Sequence, residues 1–240
     1  MSRFPVRQSQ IKNGQAIISG SDYKHIVKAL RLKVGHKITL FDERGMEYNG
    51  VIAAIEKGKI SVAIAESRNV ETESNLNIIL LQGVPKGNKM DFIVEKATEL
   101  GVKTIVPVVT ERSQIRDTKK IQRWQRIAIE SSKQCGRTTP PDIHTLKNFR
   151  DIVELNYVNV LRIILHKESK HNIKYILNND LQVFINIIIF VGSEGGFSDE
   201  EIKMAEEKGF VPVALGPRIL RTETAGIVAI SILQYMYGDI

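Results

Sequence analysis

From about residue 74 onward, the sequence alternates short aliphatic runs with stretches of helical periodicity. Strands of a parallel sheet read as nearly continuous apolar runs, because helices bury the sheet on both faces. A helical stretch follows the first run, "KMDFIVEKATEL" (89–100), and Gly101 terminates it. The pattern therefore predicts an α/β domain with a parallel sheet. The clearest runs lie at 76–82, 103–109, 161–166, 183–192 and 210–215.

Residues 1–72 follow a different pattern, in which glycines separate shorter apolar runs. Short strands with turn residues between them predict a small β-barrel or sandwich. The polar stretch 66–75 is the predicted linker, so we expect two domains, 1–72 and 73–240. The apolar runs lie at 38–41, 51–55 and 60–65, and the separating glycines are Gly45, Gly50 and Gly58.

The N-terminal region is basic. The chain has a formal net charge of +7, and residues 1–72 hold 12 Lys/Arg against 7 Asp/Glu. Such an excess indicates a polyanionic partner, although a solvated face that aids solubility is the alternative. The stretch 21–35 predicts a short amphipathic helix. Its apolar face holds Tyr23, Ile26, Val27 and Leu30, and its basic face holds Lys24, Lys28 and Arg31.

Two loops in the second half have the composition of ligand-binding turns. After the run that ends near residue 191, "GSEGGFSDEE" (192–201) places three glycines before a helix that Ser198 and Glu201 can cap as a capping box. After the last run, "LGPRILRTETA" (215–225) places two arginines before the final helix, which Thr222 can cap. That helix is apolar almost all round and should be buried. Ligands of open parallel sheets bind at the carboxyl ends of the strands, so we expect a pocket there.

Several classes of protein are excluded. The sequence has no GxGxxG or GxxxxGK[ST] motif, no GxSxG turn and no metal-ligand spacing among its five histidines, so no metal is expected. Its single cysteine excludes an intramolecular disulfide and suits a reducing compartment. Without an apolar leader or a membrane-spanning run, we expect a cytoplasmic protein with no membrane partner.

The motifs together resemble those of the RsmE-type 16S ribosomal RNA uridine-N3 methyltransferases, which belong to the SPOUT superfamily. The resemblance rests on "VPKGNKMDFIVEKATELGV" (84–102), "ERS" (111–113), "ESSKQCGR" (130–137) and the two loops quoted above. "HIVKALRLKVG" (25–35) is similar to the PUA-like RNA-binding module of that family. Ser193 departs from the proline that the family commonly has before the glutamate.

The resemblance implies a C-terminal SPOUT domain with a trefoil knot that holds S-adenosyl-L-methionine. Apolar side chains there can sandwich the adenine, and loop backbone groups can satisfy its polar edge. The matching cofactor-binding positions are Leu165, His166, Gly192, Ser193, Glu194, Gly195, Gly196, Leu215, Gly216, Ile219, Leu220 and Arg221.

The implied reaction transfers a methyl group to N3 of a uridine in 16S ribosomal RNA. A guanidinium beside the uracil oxygens would stabilise the anion that forms as N3 loses its proton, which favours Arg221, then Arg218, as catalytic residues. The general base stays open between Glu194 and Glu223. The expected RNA contacts are Lys24, Lys28, Arg31, Lys33, Lys86, Lys89, Arg112 and Arg116, in part along a basic run that continues through Lys119, Lys120, Arg123 and Arg126.

The resemblance also implies a homodimer that forms through the C-terminal domain, and a substrate within a small ribosomal subunit. Two other functions fit the same residues. One is a SPOUT enzyme of other specificity, such as ribose 2′-O methylation, and the other is a non-catalytic RNA-binding factor for ribosome assembly.

Overall fold

The computed structural model describes residues 2–42, 44–70, 72–155, 158–175 and 185–240. The chain forms two compact units. The first consists of Met1–Glu73 together with Ser132–Thr139, and the second of Ser74–Ser131 together with Pro140–Ile240.

The first unit is a six-stranded sheet around one apolar core. The strand order is β1-β4-β5-β6-β3-β2; β1 runs parallel to β4, and the other neighbours are antiparallel. The core includes Phe4, Ile38, Ile52 and Val62, and the three predicted apolar runs lie within β4, β5 and β6. The strands are β1 (Arg3–Pro5), β2 (Ile11–Lys12), β3 (Gln15–Ser19), β4 (Lys37–Phe41), β5 (Met46–Glu56) and β6 (Lys59–Asn69).

The predicted basic helix is shorter than the pattern indicated. It consists of α1 (Gly20–Lys24) and a π-helical turn over His25–Ala29. Ile26 is buried as expected, but Leu30 is 38% exposed and does not reach the core. Arg31 lies beyond the helical turn at φ +52°, a conformation in which the helix cannot continue.

Residues 132–139 belong to the first unit through ion pairs with its N-terminal part. Lys133 contacts Asp22 (Nζ to Oδ1, 2.8 Å), and buried Arg137 contacts Glu73 (Nη2 to Oε2, 2.7 Å). The predicted linker at 66–75 is wrong in its first part, because β6 continues to Asn69. Ladder pairing with β5 keeps this polar segment extended.

The second unit contains the predicted parallel sheet, in the order β10-β8-β7-β12-β11-β13, with β9 also paired to β8. Every pairing in it is parallel. The strands are β7 (Asn77–Gly83), β8 (Thr104–Val109), β9 (Asp142–Ile143), β10 (Lys147–Asn148), β11 (Leu161–Leu165), β12 (Asn186–Val191) and β13 (Val211–Val213). The helices are α2 (Lys89–Glu99), α3 (Ile121–Cys135), α4 (Phe149–Val153), α5 (Asp199–Glu207) and α6 (Thr222–Tyr237). The last turn of α3, from Ser132 onward, belongs to the first unit.

Alternate residues of the central strands enter two separate cores. On one face Leu80 and Ile189 pack with side chains of α2, α3 and α6, including Trp124. On the other face Leu81 and Phe190 pack with side chains of α4 and α5. This two-sided burial explains the nearly continuous aliphatic runs of the sequence. The trefoil knot stays a prediction.

The final helix, α6, buries one face only, which corrects the expectation that it is buried all round. Ala229, Ile230 and Leu233 are fully buried, whereas Tyr235 is 73% and Met236 45% exposed. Buried Gln234 accepts a hydrogen bond from Ser74 and donates one to the carbonyl of Leu100, so a polar side chain also anchors the helix. Among the described residues, no helix has the length and apolarity needed to cross a membrane.

Candidate active site

A cavity of about 700 Å³ opens where β11, β12 and β13 end in the second unit. Parallel strands end at the same edge of a sheet, so the three following loops meet there. Every residue predicted to bind the cofactor lines this cavity, as do Arg218, Arg112 and Lys89. The remaining lining residues are Lys167, Glu168, Val191, Phe197, Asp199, Val213, Ala214, Thr222 and Ala225.

The glycine loop, residues 192–196, follows β12 as a tight turn. The Gly196 N–H donates to the Ser193 carbonyl at 2.9 Å, and Gly196 has φ +68°, which a residue with a side chain rarely adopts. The predicted capping box is present at the start of α5: Ser198 Oγ accepts from the Glu201 N–H, and Glu201 accepts from the Ser198 N–H. The loop is therefore joined directly to a capped helix.

Neighbouring segments pack closely against this loop at two glycines, Gly83 and Gly195. A Cβ on Gly83, the last residue of β7, would lie 2.5 Å from the Ser193 nitrogen. A Cβ on Gly195 would lie 2.8 Å from the Cβ of Arg112, whose guanidinium also donates to the Gly195 carbonyl at 3.3 Å. Gly83 is not among the predicted site residues, although its position at the end of an aliphatic run is a signal in the sequence.

The loop before α6 is held differently from the expectation. Arg221 is the N-cap residue and makes no side-chain cap bond, so the predicted cap by Thr222 is wrong. The Thr222 hydroxyl instead donates to the Gly192 carbonyl at 2.5 Å and accepts from Gln82 Nε2 at 3.0 Å. The Gly192 carbonyl accepts this hydrogen bond, so Thr222 links α6 to the glycine loop.

Apolar and cationic side chains share the cavity wall. Leu165, Leu215 and Leu220 are partly buried, whereas Ile219 is 76% exposed. Arg218 and Arg221 are exposed. The cavity thus combines an apolar wall with exposed guanidinium groups.

Glu194 is held by cations and amides at the cavity. It contacts Lys89 (Oε1 to Nζ, 2.7 Å) and accepts the Lys86 N–H at 3.1 Å. Burial alone would raise the pKa of the Glu194 carboxyl, but hydrogen bonds from Lys89 and from the Glu194 and Lys86 amides outweigh it, so the pKa is lowered. Glu223 lies near the same lysine, with Oε2 4.0 Å from Lys89 Nζ, and its side chain is only 16% exposed.

The basic residues predicted to contact RNA lie on both units. In the first unit Lys24, Lys28, Arg31 and Lys33 are all exposed.

In the second unit Lys86 and Arg116 are exposed but do not line the cavity. Arg116 donates to the carbonyls of Thr110 and Glu111, which fixes the turn after β8. Farther along the basic run, Lys120 donates to the Gly87 carbonyl and Arg123 pairs with Asp91, whereas Lys119 and Arg126 are exposed. Across the described residues, no three His, Cys, Asp or Glu side chains are grouped to hold a metal ion.

Comparison with known families agrees with this architecture. Residues 72–234 match the RNA methyltransferase domain, and residues 18–65 match the RNA methyltransferase PUA domain. The first of these matches covers more than half of the chain, so the chain is a member of an RNA methyltransferase family.

Individual relatives specify that family further. "Ribosomal RNA small subunit methyltransferase E" of Buchnera aphidicola (subsp. Acyrthosiphon pisum) is 37% identical over 92% of this chain and 88% of its own. The Bacillus subtilis protein of the same name is 29% identical over 91% and 89%. A crystal structure of this methyltransferase from Neisseria gonorrhoeae, bound to S-adenosyl methionine, superposes with a TM-score of 0.90 at 33% identity, covering 100% and 99% of the two chains. The chain belongs to the ribosomal RNA small subunit methyltransferase E family.

Proposed function

We propose that this protein transfers the methyl group of S-adenosylmethionine to N3 of a uridine in 16S ribosomal RNA. The observation that carries the proposal is the cavity at the ends of β11, β12 and β13, which collects every predicted cofactor residue together with two exposed arginines. The family and the cofactor-bound relative support it.

The cavity fits S-adenosylmethionine in size and chemistry. Its volume of about 700 Å³ is that of a small-molecule site. Leu165, Leu215 and Leu220 offer apolar surface for an adenine ring, and the glycine loop brings backbone groups close to the ligand. Ser193 Oγ is buried and has no hydrogen-bond partner among the described residues. A polar atom of the ligand could provide that partner.

Bound S-adenosylmethionine supplies an electrophilic methyl group, so the protein has to orient the uracil and stabilise its anion. Arg221, at the start of α6, can direct its guanidinium at the uracil oxygens, where negative charge develops as the N3 proton leaves. Arg218 supports the same charge or contacts an RNA phosphate. These positive groups act on charge that appears only during the reaction.

The lowered pKa of the Glu194 carboxyl counts against Glu194 as the general base, because Lys89 and two amides reduce its proton affinity. Glu223 has one carboxylate oxygen without a hydrogen-bond partner among the described residues, which favours it. The choice of Glu223 as the general base rests on these two observations.

RNA binding is assigned to both units. The exposed residues Lys24, Lys28, Arg31 and Lys33 lie in the first unit, whose residues 18–65 match a PUA domain. Phosphate neutralisation by Lys and Arg dominates the affinity of such surfaces. Lys86, Lys89, Arg112 and Arg116 add contacts near the site.

We further propose that the protein is a homodimer, that it works in the cytoplasm, and that its substrate lies within a small ribosomal subunit. The exposed Tyr235 and Met236 on α6 support an interface on that helix.

The test is methylation in vitro followed by nucleoside mass spectrometry. Small-subunit RNA from a strain that lacks the gene is offered both naked and as assembled subunits, with labelled S-adenosylmethionine. We expect 3-methyluridine at one position, formed about a hundredfold more slowly with an Arg221→Ala protein. A ribose-methylated nucleoside would instead support the other enzymatic specificity. RNA binding without any methylation would support the assembly factor.

A further inference from the structure

The segment after β8 and the start of α5 form a closed ring of hydrogen bonds. The Glu111 N–H donates to Glu201 Oε1 at 2.8 Å, and the Ser198 N–H donates to Glu201 Oε2 at 3.0 Å. Ser198 Oγ donates to Glu111 Oε2 at 2.7 Å. Each of the three residues therefore contacts the other two, and the ring joins segments that are far apart in the sequence.

The ring fixes the residue that touches the glycine loop. Arg112 directly follows Glu111, and its Cβ occupies the space that a side chain at Gly195 would need, 2.8 Å away. Its guanidinium donates to the Gly195 carbonyl at 3.3 Å, and its side chain lines the cavity. A displacement of Glu111 must move Arg112, and with it one wall of the cavity.

The hydrogen-bonded ring contains a carboxylate, that of Glu201, whose charged form is disfavoured by burial. Glu201 is only 7% exposed. Burial raises the pKa of its carboxyl and the nearby Glu111 charge acts in the same direction, whereas the two amide hydrogen bonds oppose the shift. A leucine or methionine could fill the same space without this desolvation cost. An acceptor for two backbone amides is what the position requires.

We propose that Glu111, Ser198 and Glu201 are positioning residues for the cofactor site, which act by holding Arg112 against Gly195. None of the three lines the cavity. The inference rests on the proposed function, since it concerns affinity for S-adenosylmethionine. It assigns a role to Glu111 of the "ERS" segment (111–113), from which the proposed function uses only Arg112, as an RNA contact.

Glu111→Ala is the primary test, because Glu111 is exposed and its removal leaves the core intact. We expect calorimetry without RNA to give an S-adenosylmethionine Kd about tenfold higher, the scale of losing a charge-assisted hydrogen bond. Turnover at saturating cofactor should stay near the wild-type value, so the loss appears in KM. Glu111→Gln keeps an acceptor for Ser198 and should restore the affinity. Glu200→Ala, the exposed neighbour in the same helix turn, is the charge-matched control and should bind normally.

A double-mutant cycle tests the route through Arg112. In an Arg112→Gly background, which removes both the Cβ and the guanidinium that face Gly195, Glu111→Ala should change the cofactor Kd by less than twofold. Ser198→Ala removes the other end of the bond together with the cap of α5, so it should raise the Kd at least as much as Glu111→Ala does. Wild-type affinity in Glu111→Ala, or effects that simply add in the cycle, would overturn the inference and leave the proposed function standing. A wild-type protein that binds no S-adenosylmethionine would overturn both.

Discussion

Gly83 gives the sharpest test of how the cofactor site is built. It ends β7, beneath the glycine loop, and a Cβ there would lie 2.5 Å from the Ser193 nitrogen and 2.8 Å from the Gly192 carbonyl carbon. Ordinary contact begins at 3.4 Å, so Gly83→Ala must separate strand and loop by roughly 0.9 Å. Both neighbours are backbone atoms, and no side-chain rotation can relieve the contact.

The expected cost of Gly83→Ala follows from that displacement. Forcing a methyl group into a packed interior costs about 1–3 kcal/mol of unfolding free energy. Each kcal/mol lowers Tm by about 2–4 °C in a chain of this size. A shift of about 1 Å in a positioning element can also cost on the order of a hundredfold in activity. Calorimetry should therefore show weaker S-adenosylmethionine binding, and thermal unfolding should show a lower Tm.

Gly226→Ala is the matched control for Gly83→Ala. Gly226 lies inside α6, and its Cβ would find Val191 Cγ2 at 3.5 Å and Gln82 Oε1 at 3.7 Å, both ordinary contacts. Alanine is favoured over glycine in a helix interior by about 1 kcal/mol, so Tm should be equal or higher. If Gly83→Ala kept both the wild-type Tm and the wild-type cofactor affinity, the described packing of the loop would be wrong.

Four further predictions address catalysis, RNA binding, assembly and pH. Arg221→Ala should lower kcat about a hundredfold with the cofactor Kd nearly unchanged. Gly195→Val should weaken cofactor binding first, because its Cβ would meet the Arg112 Cβ at 2.8 Å. Loss of binding in Arg221→Ala with normal turnover would make Arg221 a cofactor ligand instead. Lys24→Gln with Lys28→Gln should lower RNA affinity and reduce the salt slope by about one per lysine, and an unchanged slope would remove this surface from the interface. Light scattering at micromolar concentration should give about twice the 27.0 kDa chain mass, and a monomer mass would contradict the homodimer. Because the pKa of Glu194 is lowered in the folded protein, its ionised carboxylate stabilises the fold at pH values above its ordinary pKa of 4.5. This contribution is lost as the pH falls through the folded pKa. Glu194→Gln should therefore lower Tm at neutral pH and match the wild type in acid.

The parts of the structure that depend on local sequence could be predicted, and those that depend on distant contacts could not. The parallel sheet and the Ser198–Glu201 capping box follow from short-range patterns, and both are present. The hydroxyl of Thr222 bonds Gly192, 30 residues away, and no local rule anticipates that choice over a helix cap. The inclusion of residues 132–139 in the first unit depends likewise on ion pairs formed across the sequence.

The contacts that distant residues make with the glycine loop also decide how variants of this site should be interpreted. Thr222 holds the glycine loop at Gly192, Gly83 lies against it at Ser193, and Arg112 holds it at Gly195. Since the loop is held from outside at each of these points, a change in any one moves the surface that the cofactor meets. A raised Kd therefore does not identify a residue that contacts the cofactor. Only coupling between two substitutions separates direct contact from positioning, because a positioning residue loses its effect once the group that it holds has been removed.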